Sequence, residues 1–140
     1  MTSYTWRSNT DRIIIGCGVD AERIARFERF TDESPPPMPF VFTEGEIQHA
    51  CAGSNAATRL CLCFTCKEAL FKALGTPFDY TLCELLPHLD PGAGRFEGHL
   101  SLDVRLKAST GASDADVHAL LHLVEGHVVS SITVYGREDK

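Results

Sequence analysis

Between positions 56 and 74 the chain carries a run rich in Ala, Leu and Cys, followed at once by Gly75 and Pro77. Such a run predicts one long helix, closed by a glycine that can take the left-handed conformation past the last turn and by a proline that cannot continue it. With 140 residues and 44% hydrophobic content the chain is one globular domain, large enough for a core and too small for two sizeable ones. The long helix is therefore the central element, and the other segments must pack around it.

Those segments are short and mixed. Residues 12–19 are β-branched, end in glycines and predict a buried strand. Asp20 follows as a helix N-cap for 21–30, where Ile24, Phe27 and Phe30 recur at helical spacing. Pro35, Pro36, Pro37 and Pro39 make 31–40 a loop. Thr43 and Glu46 have the spacing of a capping box and open a second helix, ended by Gly53, Ser54 and Asn55. Beyond the long helix come strands at 82–89 and 96–102 around a turn at 91–94, then a short helix at 102–108. Two last strands, 117–124 and 127–135, are joined by a turn at Glu125 and Gly126. Residues 1–11 read as a polar tail and 12–136 as the domain. The expected fold class is α+β, an antiparallel sheet packed against a long central helix in a single lobe.

A formal charge of -6 argues against broad nucleic-acid binding, which needs an excess of Lys and Arg to displace counterions. No stretch approaches the roughly 20 apolar residues that span a bilayer, and residues 1–12 lack the apolar core of a secretory signal. The expected compartment is the cytoplasm, where Cys17, Cys51, Cys61, Cys63, Cys66 and Cys83 stay free thiols.

Two acidic segments carry the chemistry. Gly16, Gly18, Val19 and Asp20 put a carboxylate at a strand end just after glycines that allow close backbone approach. Glu68 and Lys72, four residues apart, share one helix face. Together they suit a divalent cation and a phosphate: Mg²⁺ needs only one or two protein carboxylates beside waters and substrate phosphates. Each part also has a plainer reading. Asp20 can simply cap a helix, and Glu68 with Lys72 can be an exposed ion pair worth about 0.3–0.5 kcal/mol. Arg23, Arg26 and Arg29 recur every third residue as a basic stripe, or as a solvated face beside Glu22 and Glu28. His118 and His122 would suit zinc on a helix, but their segment predicts a strand. Cys61, Cys63 and Cys66 lack a matching second ligand pair and read as small buried hydrophobes.

Three motifs occur in order: Gly16, Gly18, Val19 and Asp20; Phe42, Thr43 and Glu46; Phe64, Lys67, Glu68, Ala69, Lys72, Ala73, Gly75 and Thr76. Over residues 13–135 the chain resembles the small phosphopantetheinyl transferases, of the holo-acyl-carrier-protein synthase type. The resemblance implies transfer of the 4'-phosphopantetheine arm of coenzyme A to a serine of an acyl carrier protein, with release of adenosine 3',5'-bisphosphate, in the service of fatty-acid or related lipid metabolism. It implies Asp20 and Glu68 as ligands of Mg²⁺ (Mn²⁺ as alternative) and catalytic roles for Asp20, Glu68 and Lys72. Lys67, Lys72 and His122 are carried over to coenzyme A phosphates, and Arg23, Arg26 and Arg29 to an acidic carrier protein. It further implies a homotrimer with coenzyme A at subunit interfaces. Where many members have Arg this chain has Cys63, and Arg59 stands one turn earlier as a candidate replacement for the lost charge. A weakened relative that binds coenzyme A or carrier without turnover, and a metal-dependent diphosphate hydrolase, are the alternatives.

Overall fold

The computed structural model describes residues 12–29, 40–52, 55–83, 94–100 and 115–137. In chain order these form β1 (Arg12–Arg23), α1 (Ala25–Glu28), α2 (Glu44–Cys51), α3 (Ala56–Leu74), a 3-10 turn (Tyr80–Leu82), β2 (Arg95–Leu100), β3 (Asp116–Val124) and β4 (His127–Arg137). The four strands make one antiparallel sheet in the order β1-β4-β3-β2, with α3 across one face, so the α+β expectation stands.

The long helix spans the residues predicted for it, and Gly75 closes it at φ 68° with its N–H donating to the Phe71 carbonyl. The capping box of α2 is formed in both directions, Glu46 N–H to Thr43 Oγ1 at 3.1 Å and Thr43 N–H to Glu46 Oε1 at 3.0 Å. The β3–β4 turn has Glu125 at φ 46° and Gly126 at φ 77°, the paired positive values that match strand twist in a two-residue hairpin.

The segment after Gly18 departs from expectation. Instead of capping a helix, Asp20 continues β1, which runs on to Arg23 and pairs with β4 through Asp20 with Ser130, Glu22 with Val128 and Arg23 with His127. Only one helical turn, Ala25–Glu28, remains of the predicted 21–30 helix. Four more ladder positions against a well-formed hairpin outweigh the modest local helix preference of this segment. The strand predicted at 82–89 begins instead with the 3-10 turn, where Asp79 accepts the Thr81 N–H at 2.9 Å. Its remainder, like residues 101–102, the 102–108 helix, the tail 1–11 and the proline segment 30–39, lies outside the described residues.

Alternation along the strands explains the core. Val117, Ala119 and Leu121 of β3 and Val128, Ser130, Ile132 and Val134 of β4 are buried toward α3, which returns Leu60, Cys61, Phe64, Ala69, Leu70 and Ala73. A β-bulge at Ile15 resets β1 so that Gly16 and Gly18 meet the helix. A Cβ on Gly18 would lie 2.0 Å from the Ala69 carbonyl oxygen, and one on Gly16 1.9 Å from that of Ala73. Strand and helix backbones therefore touch, which only glycine allows.

Candidate active site

This backbone contact aligns the two acidic segments. Gly16 lies against Ala73 and Gly18 against Ala69, so β1 runs antiparallel to α3 and Asp20, two residues further along the same strand face, stands about one turn before Glu68, within reach of the long Lys72 side chain. The Lys72 ammonium donates to Asp20 Oδ1 at 3.0 Å and to the Val19 carbonyl at 3.1 Å. Its side chain remains 49% exposed, so it can reach outward as well. Asp20 Oδ2 is buried and has no hydrogen-bond partner among the described residues.

Glu68 is held by a residue that no motif predicts. The Tyr80 hydroxyl donates to Glu68 Oε1 at 2.9 Å. Burial first, then the bond to Glu68 and the charges of Glu68 and Asp20, push the phenol pKa well up, so Tyr80 is a donor at neutral pH. Asp20, Glu68, Lys72 and Tyr80 are thus one cluster drawn from three elements. Twelve residues of chain separate Tyr80 from Glu68, and no spacing rule links them.

Lys67 is placed elsewhere. Its neighbour on α3 faces the site, but Lys67 itself is 0% exposed and its three donors are filled by Glu46 Oε1 at 2.6 Å, Val41 O at 2.7 Å and Tyr80 O at 2.9 Å. Glu46 is equally buried and its other oxygen accepts the Cys63 thiol at 2.7 Å. Where a phosphate contact was expected of Lys67, the structure places its ammonium inside the core, because one residue on a helix turns the side chain by about 100°. Cys63 also points into that core, so position 63 offers no charge to a phosphate here.

Two further expected contacts are not brought to the cluster. Arg59 lies nine residues before Glu68, roughly 13 Å along the helix axis, and its buried Nε has no partner among the described residues. His122 pairs with Val129 and Arg95 on the sheet face turned away from α3, opposite to Asp20, and no zinc pair with His118 forms because the segment is a strand. Within one chain neither residue joins Asp20 and Glu68. Arg23, Arg26 and Arg29 do share a groove with Glu22 and Ala25, although Arg23 ends β1 and Arg29 follows α1. Arg26 is anchored there by Glu22 at 2.9 Å and lies 5.3 Å from the Phe64 ring centroid.

The donor set fits a hard divalent cation. Two carboxylates from separate elements, one with a buried unpaired oxygen, are what Mg²⁺ requires of a protein. Among the described residues no group of three or more His, Cys, Asp or Glu is arranged to hold a metal, so waters and substrate phosphates would supply the remaining ligands. Among them also no helix is long and apolar enough to cross a membrane.

Comparison with known proteins places these observations. The profile of the 4'-phosphopantetheinyl transferase superfamily matches residues 16–121. The holo-acyl-carrier-protein synthase of Trichlorobacter lovleyi is 31% identical over 86% of this chain and 96% of its own. That of Geotalea daltonii is 40% identical, and the match spans 46% of this chain and about half, 52%, of the relative's length. The solved ACPS–CoA complex of Chronobacterium ammoniagenes superposes with a TM-score of 0.62 at 20% identity, covering 89% of this chain and 98% of the other.

Proposed function

Because the chain belongs to the 4'-phosphopantetheinyl transferase superfamily and is an enzyme of the holo-acyl-carrier-protein synthase type, we propose that it transfers the 4'-phosphopantetheine arm of coenzyme A to a serine hydroxyl of an apo acyl carrier protein, releasing adenosine 3',5'-bisphosphate. The observation that carries the reading is that Asp20 of β1 and Glu68 of α3 are gathered into one cluster, Lys72 bonding Asp20 and Tyr80 bonding Glu68 while feeling the charge of both carboxylates.

Asp20 and Glu68 would hold Mg²⁺, with Mn²⁺ as alternative, and a bound ion supplies neutralisation of charge on the diphosphate. Lys72, exposed and tethered only at the surface, offers a cation to the departing phosphate. The serine proton has the carboxylates of the cluster as its acceptors in this chain, Glu68 with one oxygen already on Tyr80. The groove of Arg23, Arg26 and Arg29 would receive an acidic carrier protein and steer its approach.

Self-association belongs to the same proposal. β1 is an edge strand on which Ile13, Ile14, Ile15 and Val19 are exposed, apolar surface that a second copy would cover. A homotrimer would also let the His122 face of one copy approach the cluster of its neighbour, where coenzyme A is expected. The cytoplasm is the proposed location.

The deciding experiment is the intact mass of an apo acyl carrier protein after incubation with coenzyme A, Mg²⁺ and the enzyme. A gain of roughly 340 Da, the mass of the arm, that is lost in Asp20→Ala and Glu68→Ala, is expected. Coenzyme A binding without any gain would point to a weakened binding relative. Cleavage of coenzyme A in the absence of carrier would point to a diphosphate hydrolase.

A further inference from the structure

Glu68 faces a hydroxyl that belongs to none of the sequence motifs. Tyr80 donates to Glu68 Oε1 at 2.9 Å, while its carbonyl is fastened to the buried Lys67 ammonium at 2.9 Å. Asp20 is held differently: Lys72 donates to its Oδ1 at 3.0 Å, while Oδ2 and the Oγ of its register partner Ser130, both buried, have no hydrogen-bond partner among the described residues and so do not bond each other.

We infer that Tyr80 is a positioning residue, a hydroxyl donor that aims Glu68 at a divalent cation shared with Asp20. Tyr80 occupies one oxygen of Glu68. Because the Tyr80 carbonyl is anchored on the buried Lys67 ammonium, the donor is held in place and Glu68 is confined to one orientation without a long loop in the site. This inference rests on the reading of Asp20 and Glu68 as cation ligands.

The test is a Mn²⁺ titration followed by electron paramagnetic resonance, with coenzyme A present, on the wild-type protein, Tyr80→Phe and Asp20→Ala. Tyr80→Phe is expected to weaken Mn²⁺ about tenfold, the effect of losing an outer partner of a ligand. Raising Mg²⁺ should restore its turnover, with a higher KM for the metal and little change in kcat. Unchanged Mn²⁺ affinity in Tyr80→Phe overturns the assignment. If the wild-type protein binds no Mn²⁺, or Asp20→Ala binds it equally well, the cation site itself falls and the inference with it.

Discussion

A lysine ammonium with no exposure is unusual, and Lys67 shows what makes it tolerable: one carboxylate and two carbonyls fill its three donors. Glu46 in turn satisfies Thr43 N–H, the Lys67 ammonium and the Cys63 thiol. Glu46→Gln would leave that cation without its anion, and the expected loss is about 3–5 kcal/mol in urea denaturation, typical for breaking one side of a buried pair. The buried thiols give a second prediction. Burial raises Cys61 from 9.0 to about 11 and Cys83 from 9.0 to about 12. The unfolded chain releases these protons first, so between those values the folded state binds more protons than the unfolded one. Stability should be full below pH 9 and fall as pH rises through the folded values, a decline that thermal melts across pH 8–12 would record.

At the scale of elements, the contact between β1 and α3 sets the site. Gly18→Ala brings a methyl to 2.0 Å from a backbone carbonyl that cannot swing aside. Overpacking of this kind costs about 3 kcal/mol or more when backbone must move. It should also pull Asp20 away from Lys72, so the variant is expected to lose both Tm and transfer activity, even where calorimetry finds it folded. The motif glycines were legible in the sequence as permitting close approach, but what approaches them is a helix, and that is visible only in the fold. Asp20 shows the converse: its local pattern reads as a helix cap, and the ladder with Ser130 makes it a strand residue.

For the whole molecule, the exposed isoleucines of β1 are apolar surface that a single copy leaves uncovered, as is Phe40 at 85%. Ile14 is 61% exposed and Ile15 52%, on the edge of the sheet. Light scattering of the wild-type protein with coenzyme A is expected to give three times the monomer mass of 15.4 kDa. Ile14→Asp should shift that mass toward the monomer and lower turnover, because a charge cannot be buried unpaired in the contact. A strict monomer in the wild type would remove the subunit interface from the proposed site.

Local signals determined the elements whose ends are chemical: the long helix closed by Gly75, the Thr43 and Glu46 cap, the hairpin turn at Glu125 and Gly126. The motif carboxylates and Lys72 were legible as residues to look for, and the structure gathers them, with Lys72 on Asp20 and Tyr80 on Glu68. Only the tertiary structure decided that Asp20 lies in a strand, that Lys67 turns inward while Glu68 beside it turns outward, that His122 sits on the opposite sheet face, and that Tyr80 reaches Glu68. The division follows from range. Caps, turns and helical runs are settled within a few residues, whereas the direction a side chain faces and the partner it meets depend on what packs against it from elsewhere in the chain.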